Sequence, residues 1–196
     1  MEEQRSGRKG DVARVSVLRA RIADRVADAI DPDDILRGAL EVICEEGGWA
    51  VGHAWVHVPS GAQLLPAHLW YPRDDSFLVF RRASDSRRFE PGEGLPGRSM
   101  ADRRPLWIPD LATDRQFARA DAAREAGLHA GLAFPVVSDE GTEAVLEFFA
   151  TEPRQLDDPA LAPYEAVGQD IGRAVARLRR TEELREREGR FRALAE

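Results

Sequence analysis

A single cysteine in 196 residues, Cys44, leaves nothing with which to build an intrachain disulfide, a zinc–thiolate cluster or a two-cysteine redox cycle. Lysine is equally scarce, with Lys9 alone and arginine supplying every other fixed cation. No apolar run approaches the ~18 residues that a membrane span requires. The polar stretch from Met1 to Lys9 lacks the hydrophobic segment of a signal peptide. These absences lead us to expect a cytoplasmic chain with no membrane partner. The net charge of -7, with arginines interleaved among acids, offers no basic face to a nucleic acid. Ser84 and Ser99 have no histidine at a spacing that suggests a base, so neither catalytic residues nor enzymatic activity is expected. No set of metal ligands stands out either.

What is present is enough for one domain. Hydrophobic residues make up 43% of the chain, which supports one core with helical extensions better than two cramped cores. Residues 1–10 read as a disordered tail. Over residues 11–30, Val12, Val15, Leu18, Ile22, Val26 and Ile30 recur at spacings of three and four and predict an amphipathic helix. Asp31 and Pro32 have the chemistry of an N-cap and a first helical residue, and they open a second helix that runs to Gly47-Gly48. Leu36, Leu40 and Ile43 face inward there, with Cys44 beside them as a buried, inert thiol.

Trp49 to Val58 then alternates as a strand, with His53, Trp55 and His57 on one face. Pro59-Ser60-Gly61 turns it back into a second strand that ends at Tyr71. Phe77, Phe80 and Arg81 predict a short helix laid over the sheet. Pro105 to Pro109 predicts a short strand carrying Trp107. Thr113-Asp114-Arg115-Gln116 has the spacing of a capping box, predicting a helix from there to Gly127. His129 to Val137 and Thr142 to Thr151 predict a closing hairpin. From Pro163 on, one helix runs to the end. Its Tyr164, Ile171 and Leu178 repeat every seven residues, with Gly168 and Val175 at the alternate positions of a pairing seam.

Between the two halves lies Arg88-Phe89-Glu90-Pro91-Gly92-Glu93-Gly94-Leu95-Pro96-Gly97-Arg98, a knot of glycine and proline. It contains the G-x-G-x-x-G spacing of phosphate loops, but no strand leads into Gly92 and Pro105 cuts short any helix that follows. The knot is better read as an irregular loop capping a short helix and lying over a pocket.

The knot, together with Pro105-Leu106-Trp107-Ile108-Pro109-Asp110, Phe117-Ala118-Arg119-Ala120, Ala133-Phe134-Pro135-Val136 and Val145-Leu146-Glu147-Phe148-Phe149, closely resembles a GAF domain of the kind that precedes PAS domains in bacterial sensor histidine kinases and cyclic-di-GMP enzymes. The resemblance implies an α+β fold related to PAS, with a central antiparallel sheet of five to six strands. It also implies terminal helices bundled into a homodimer on one face and a small-molecule pocket on the other. On that basis residues 31–156 are the core, and 157–196 form a signalling helix that runs toward a PAS domain, whose opening Arg187 to Glu196 resembles; the chain is expected to continue. The dimer contacts would be Val15, Leu18, Ile22 and Val26 on the first helix and Tyr164, Ile171, Val175 and Leu178 on the last.

The candidate pocket residues are Trp55, Trp70, Phe80, Trp107 and Phe134, with Arg81, Arg98, His129 and Glu147 as polar groups. The aromatics are equally readable as core. Glu147, flanked by apolar residues in a strand, is expected to point outward unless an arginine meets it. The family's bilin-binding, cyclic-nucleotide and paired-cysteine methionine sulfoxide reductase kinds all need residues that this chain lacks. The cofactor is therefore left unknown. Haem ligated by His53, His57, His68 or His129 is one alternative, and a ligand-free dimerisation spacer is another.

Overall fold

The computed structural model describes residues 16–58, 60, 62–154 and 158–195. The expected tail, Val12 and Val15 lie outside them. The elements are α1 (residues 16–25), α2 (Pro32–Gly47), β1 (Val51–Val58), β2 (Gln63–Tyr71), α3 (Leu78–Asp85), α4 (Gly94–Asp102), β3 (Leu106–Ile108), α5 (Ala120–Glu125), β4 (Ala130–Ser138), β5 (Gly141–Ala150) and α6 (Asp158–Ala195). All strand pairs are antiparallel, in the order β2-β1-β5-β4-β3. This is the expected α+β architecture with five strands.

Local signals explain most of the boundaries. The Asp31 side chain accepts from the Asp34 amide at 2.8 Å and caps α2 at its start, while Gly48 closes it in a left-handed conformation. Thr113 to Gln116 form turns instead of the predicted helix. The Thr113 hydroxyl donates to the Asp110 carbonyl, and Asp114 accepts from the Gln116 amide two residues on, so the capping-box side chains stabilise turns. The helix waits until Ala120. α1 ends at residue 25, which leaves Ile30 83% exposed although it continued the apolar stripe.

Strand alternation divides the interior in two. On one face of the sheet, Ala54, Leu132, Phe134, Val136, Leu146 and Phe148 pack against α1, α2 and α6. On the other, Val51, Trp55, Leu64, Ala133, Val145 and Phe149 pack beneath α3, α4, α5 and their loops. β5 feeds both faces, its residues alternating between them one by one.

The helix face corrects the expected dimer seam. Ile22, Ile171 and Val175 are buried within one copy, and Leu18, Val26, Tyr164 and Leu178 pack against the same cluster. Their period of three and four is used within the chain, α6 lying on β4 and α1 lying on α2 and α6, because a helix covered by its own sheet or its own helices needs the same apolar stripe as one lying on a second copy. Gly168 and Gly172 belong to this docking as well. A Cβ at these positions would lie 2.3 Å from the Pro135 carbonyl oxygen and 2.1 Å from that of Val137, so α6 can approach β4 this closely only with glycine there. Ion pairs of Arg19 with Asp170, Arg25 with Glu41 and Arg21 with Glu46 hold α1 to α6 and α2.

Candidate functional site

Glu147 is fully buried on the lid face, which corrects the outward orientation expected for it. The condition under which burial is tolerable is met by Arg119, from the N-cap of α5. Its two terminal nitrogens donate to the two Glu147 oxygens at 2.6 Å each, a bidentate fork. One of these nitrogens also donates to the Ser84 hydroxyl at 2.8 Å, and Ser84 in turn donates to the Phe80 carbonyl at 2.9 Å. His53, paired with Glu147 across β1 and β5, sets its Nδ1 3.4 Å from a Glu147 oxygen. The imidazole stacks on Trp70 with ring centres 3.8 Å apart.

Charge and burial act together on these groups. Burial alone would push the Glu147 carboxyl up, but the Arg119 charge and the hydrogen bonds from His53 and Arg119 outweigh it and bring it down to about 2. Burial pushes His53 down, against the pull of Glu147, so the ring is held neutral. Its Nδ1–H then donates to Glu147 and its Nε2 is left as an acceptor. His53 Nε2, Arg119 Nε and Trp55 Nε1 are buried without a hydrogen-bond partner among the described residues.

Five aromatic rings surround the Arg119 guanidinium. Its central carbon lies 4.9 Å from the ring centre of Phe80, 5.3 Å from Phe117, 5.4 Å from both Trp55 and Phe89, and 5.5 Å from Phe149. Phe89 is delivered by the glycine and proline knot, which pairs with β2 through the Phe89 and Leu64 backbones. In the knot the Gly92 amide donates to the Gly97 carbonyl at 2.8 Å, and a Cβ on Gly97 would lie 2.1 Å from the Glu90 carbonyl oxygen. The loop therefore plugs the lid face with Phe89 and Leu95, both fully buried, where it was expected to roof an open pocket. Open space lies to one side, in a cleft of about 410 Å³ between α3 and α5 lined by Ala83, Ser86, Arg87, Phe117, Ala118 and Arg119, among others.

The predicted site residues are only partly brought together. Trp55, Trp70, Phe80 and Glu147 meet on the lid face, and Arg81 stacks 5.5 Å from the Trp70 ring centre. Arg98 stands at the rim, donating to Asp114 at 2.8 Å, to Gln116 at 2.7 Å and to the Gly94 carbonyl at 3.0 Å, which ties α4 to the loop before α5. Trp107 and Phe134 lie on the opposite face. Trp107 packs at 5.8 Å on Trp49, and Phe134 stacks at 5.7 Å on Phe148, because each is one residue out of phase with the lid-facing positions of its strand. His129 is exposed. Of the remaining haem candidates, His57 is half-buried and His68 is exposed with its Nδ1 3.3 Å from Asp85. Cys44 is buried on the helix side, where burial and Glu45 raise its thiol pKa.

Arg119 was missed as a site residue. The signal was there in a weak form: an acid in an apolar strand requires a cation, and Phe117-Ala118-Arg119-Ala120 sets one among apolar residues.

The five-stranded order with helices on both faces has counterparts among known proteins. A GAF domain model matches residues 29–176, more than half of the chain. The chain belongs to the GAF domain family. This GAF domain superposes on that of a phosphoenolpyruvate-protein phosphotransferase (ptsP) from Coxiella burnetii with a TM-score of 0.69, at 14% identity, covering 87% of this chain and 98% of that one. It superposes on the free methionine-R-sulfoxide reductase of Neisseria meningitidis, in complex with its substrate, with a TM-score of 0.68, at 16% identity, covering 85% and 91%. At such identities the likeness is one of fold. A segment of 79 residues, 39% of this chain, is 34% identical to Protein NLP1 of Arabidopsis thaliana. The chain spans 9% of the length of that relative. The reductase overturns the expectation that this chain is not an enzyme, because the same fold carries a catalyst and so gives no ground for excluding catalysis. No helix among the described residues is long and apolar enough to cross a membrane.

Proposed function

We propose that this GAF domain is a cytoplasmic sensory module of a bacterial signalling protein, with residues 31–156 as sensor and 157–196 as the linker toward an output domain. A small molecule binds beneath the lid, and the change passes through α6 to a histidine kinase or a cyclic-di-GMP enzyme. The observation that carries this reading is the double role of β5. Glu147 belongs to the lid-face cluster, while its neighbour Phe148 stacks on Phe134, whose ring lies 5.6 Å from that of Tyr164 on α6. Moving Glu147 shifts the strand that α6 rests on. The effect of a ligand is limited by its preference for one of the two arrangements.

Hydrogen exchange across residues 160–185 tests the relay. Glu147→Gln is expected to change protection there as well as on the lid, and an α6 that exchanges as in the parent would sink the idea. The homodimer belongs to the same reading, with its contact moved to what one copy leaves open: Val17, 54% exposed on α1, and Leu184, 60% exposed on α6. Light scattering that gave a monomer at tens of micromolar would remove it. The plugged lid face favours a second reading, a spacer that takes no ligand; a metabolite screen in which no compound raises the melting temperature would support that reading over the first.

A further inference from the structure

Fully buried arginines normally end on a carboxylate with their remaining donors satisfied. Arg119 does the first and not the second, and its surroundings have the composition of a receptor. The Glu147 carboxylate forms a planar fork at one end, and Ser84 adds an acceptor. The π-faces of Trp55, Phe80, Phe89, Phe117 and Phe149 surround the guanidinium at 4.9–5.5 Å, within the range at which a ring attracts a cation. Every group of this cage except the cation and Phe117 comes from β1, β5, α3 or the knot. The cation arrives from outside, on a segment of turns leading to the six-residue helix α5. Arg119 also lines the cleft between α3 and α5, so the arm that fills the cage borders open space. His53 Nε2, held as an acceptor, and Trp55 Nε1 have no hydrogen-bond partner beside it among the described residues.

We propose that this cage is a binding site for a small organic cation of the guanidinium or methylated-ammonium class, and that Arg119 is its built-in occupant, displaced toward the cleft when such a ligand enters. The proposal names the ligand class for the sensory reading given above and rests on it. The chemistry selects a cation because the one charged group supplied by the sheet is a carboxylate, and aromatic faces repel anions. A guanidinium is preferred over an ammonium, since two parallel N–H groups match the Glu147 oxygens as those of Arg119 do. A tethered competitor weakens the apparent affinity for any outside ligand by the fraction of time it leaves the cage free. Displacement would release the lid from β5, and that couples occupancy to the strand beneath α6.

The probe is methylguanidinium, titrated calorimetrically at constant ionic strength against sodium chloride, with tetramethylammonium as a second cation and acetate as an anion control. Removing the occupant in Arg119→Ala is expected to raise methylguanidinium affinity at least about tenfold over the parent chain, because the competitor is gone. Adding Glu147→Gln to that variant is expected to lose the gain. A folded Arg119→Ala that takes up no methylguanidinium at tens of millimolar, or that prefers acetate, overturns the proposal. Should Arg119→Ala fail to fold, hydrogen exchange on the parent chain decides. Methylguanidinium is expected to speed exchange over residues 117–125 where equal sodium chloride does not, and identical exchange in the two salts overturns the proposal. Failure of the cation class leaves the relay standing if Glu147→Gln still alters protection along α6. Binding to the cage without that response keeps the receptor and removes the relay.

Discussion

The two faces of the sheet are built on different principles. The helix face is an aliphatic and aromatic interior sealed by a close approach of α6 to β4; its charged contact there, Arg179 with the buried Glu143, leaves the arginine 40% exposed, and the Trp49 and Trp107 indole nitrogens are buried without a hydrogen-bond partner among the described residues. The lid face instead places a bidentate ion pair with both partners fully buried, and a neutral imidazole beside it, among its side chains. Apolar packing gains from any complementary shape, whereas a buried charge is tolerated only while its partner stays in place. The helix face is therefore suited to holding the fold, and the lid face to having two arrangements.

The largest test of that difference is a pair of variants. Arg119→Ala leaves Glu147 buried and alone and is expected to lower stability by about 3–5 kcal/mol, read from urea unfolding. Arg119→Met combined with Glu147→Leu is expected to restore most of the loss. If the single and double variants unfold alike, the ion pair is not what distinguishes this face.

Acid comes next. Both Glu147 and His53 have folded-state pKa values below their ordinary ones, so in each case the unfolded chain takes up the proton first and stability rises with pH. The His53 contribution starts to fall as pH drops below about 6.5. That of Glu147 is complete above its ordinary value of 4.5 and is lost as pH falls toward about 2. The loss through the whole Glu147 window is on the order of 3 kcal/mol, of which about 2 kcal/mol falls between pH 5 and pH 3, and that fall is expected to be absent from the Arg119→Met/Glu147→Leu variant in urea unfolding at the two pH values.

On the helix face the counterpart is Gly172→Ala. Its Cβ would meet the Val137 backbone, so overpacking of about 1–3 kcal/mol is expected to outweigh the ~1 kcal/mol by which alanine favours a helix. A more stable variant would show that α6 is held less closely than its contacts imply. The smallest effect belongs to the rim. Arg98 and Asp114 keep part of their surface in water, and Asp114→Ala is expected to cost about 1 kcal/mol or less in thermal unfolding.

Much of this architecture was legible in order along the chain. The cap at Asp31, the alternation of β1 and the hairpin of β4 and β5 are local signals, and each element formed where its residues directed. Two readings failed because a local pattern can be satisfied in more than one way. The capping-box spacing at Thr113 was real, but those side chains are engaged by turn carbonyls, neighbouring amides and Arg98. The seven-residue repeat of α6 was real too, but such a repeat states that an apolar stripe must be covered and not what covers it.

The order of residues alone points to the α+β class, to a sheet of five to six strands and to the demand that Glu147 be either solvated or paired, because periodicity, caps and turn chemistry act within a few residues. Folding in three dimensions settles which demand is met and by what. Arg119, 28 residues away from Glu147, crosses from the lid to β5 and lands among five rings drawn from separate segments. The physical reason is that desolvation and pairing of a charge depend on the groups surrounding it in space, and distance along the chain carries no record of them.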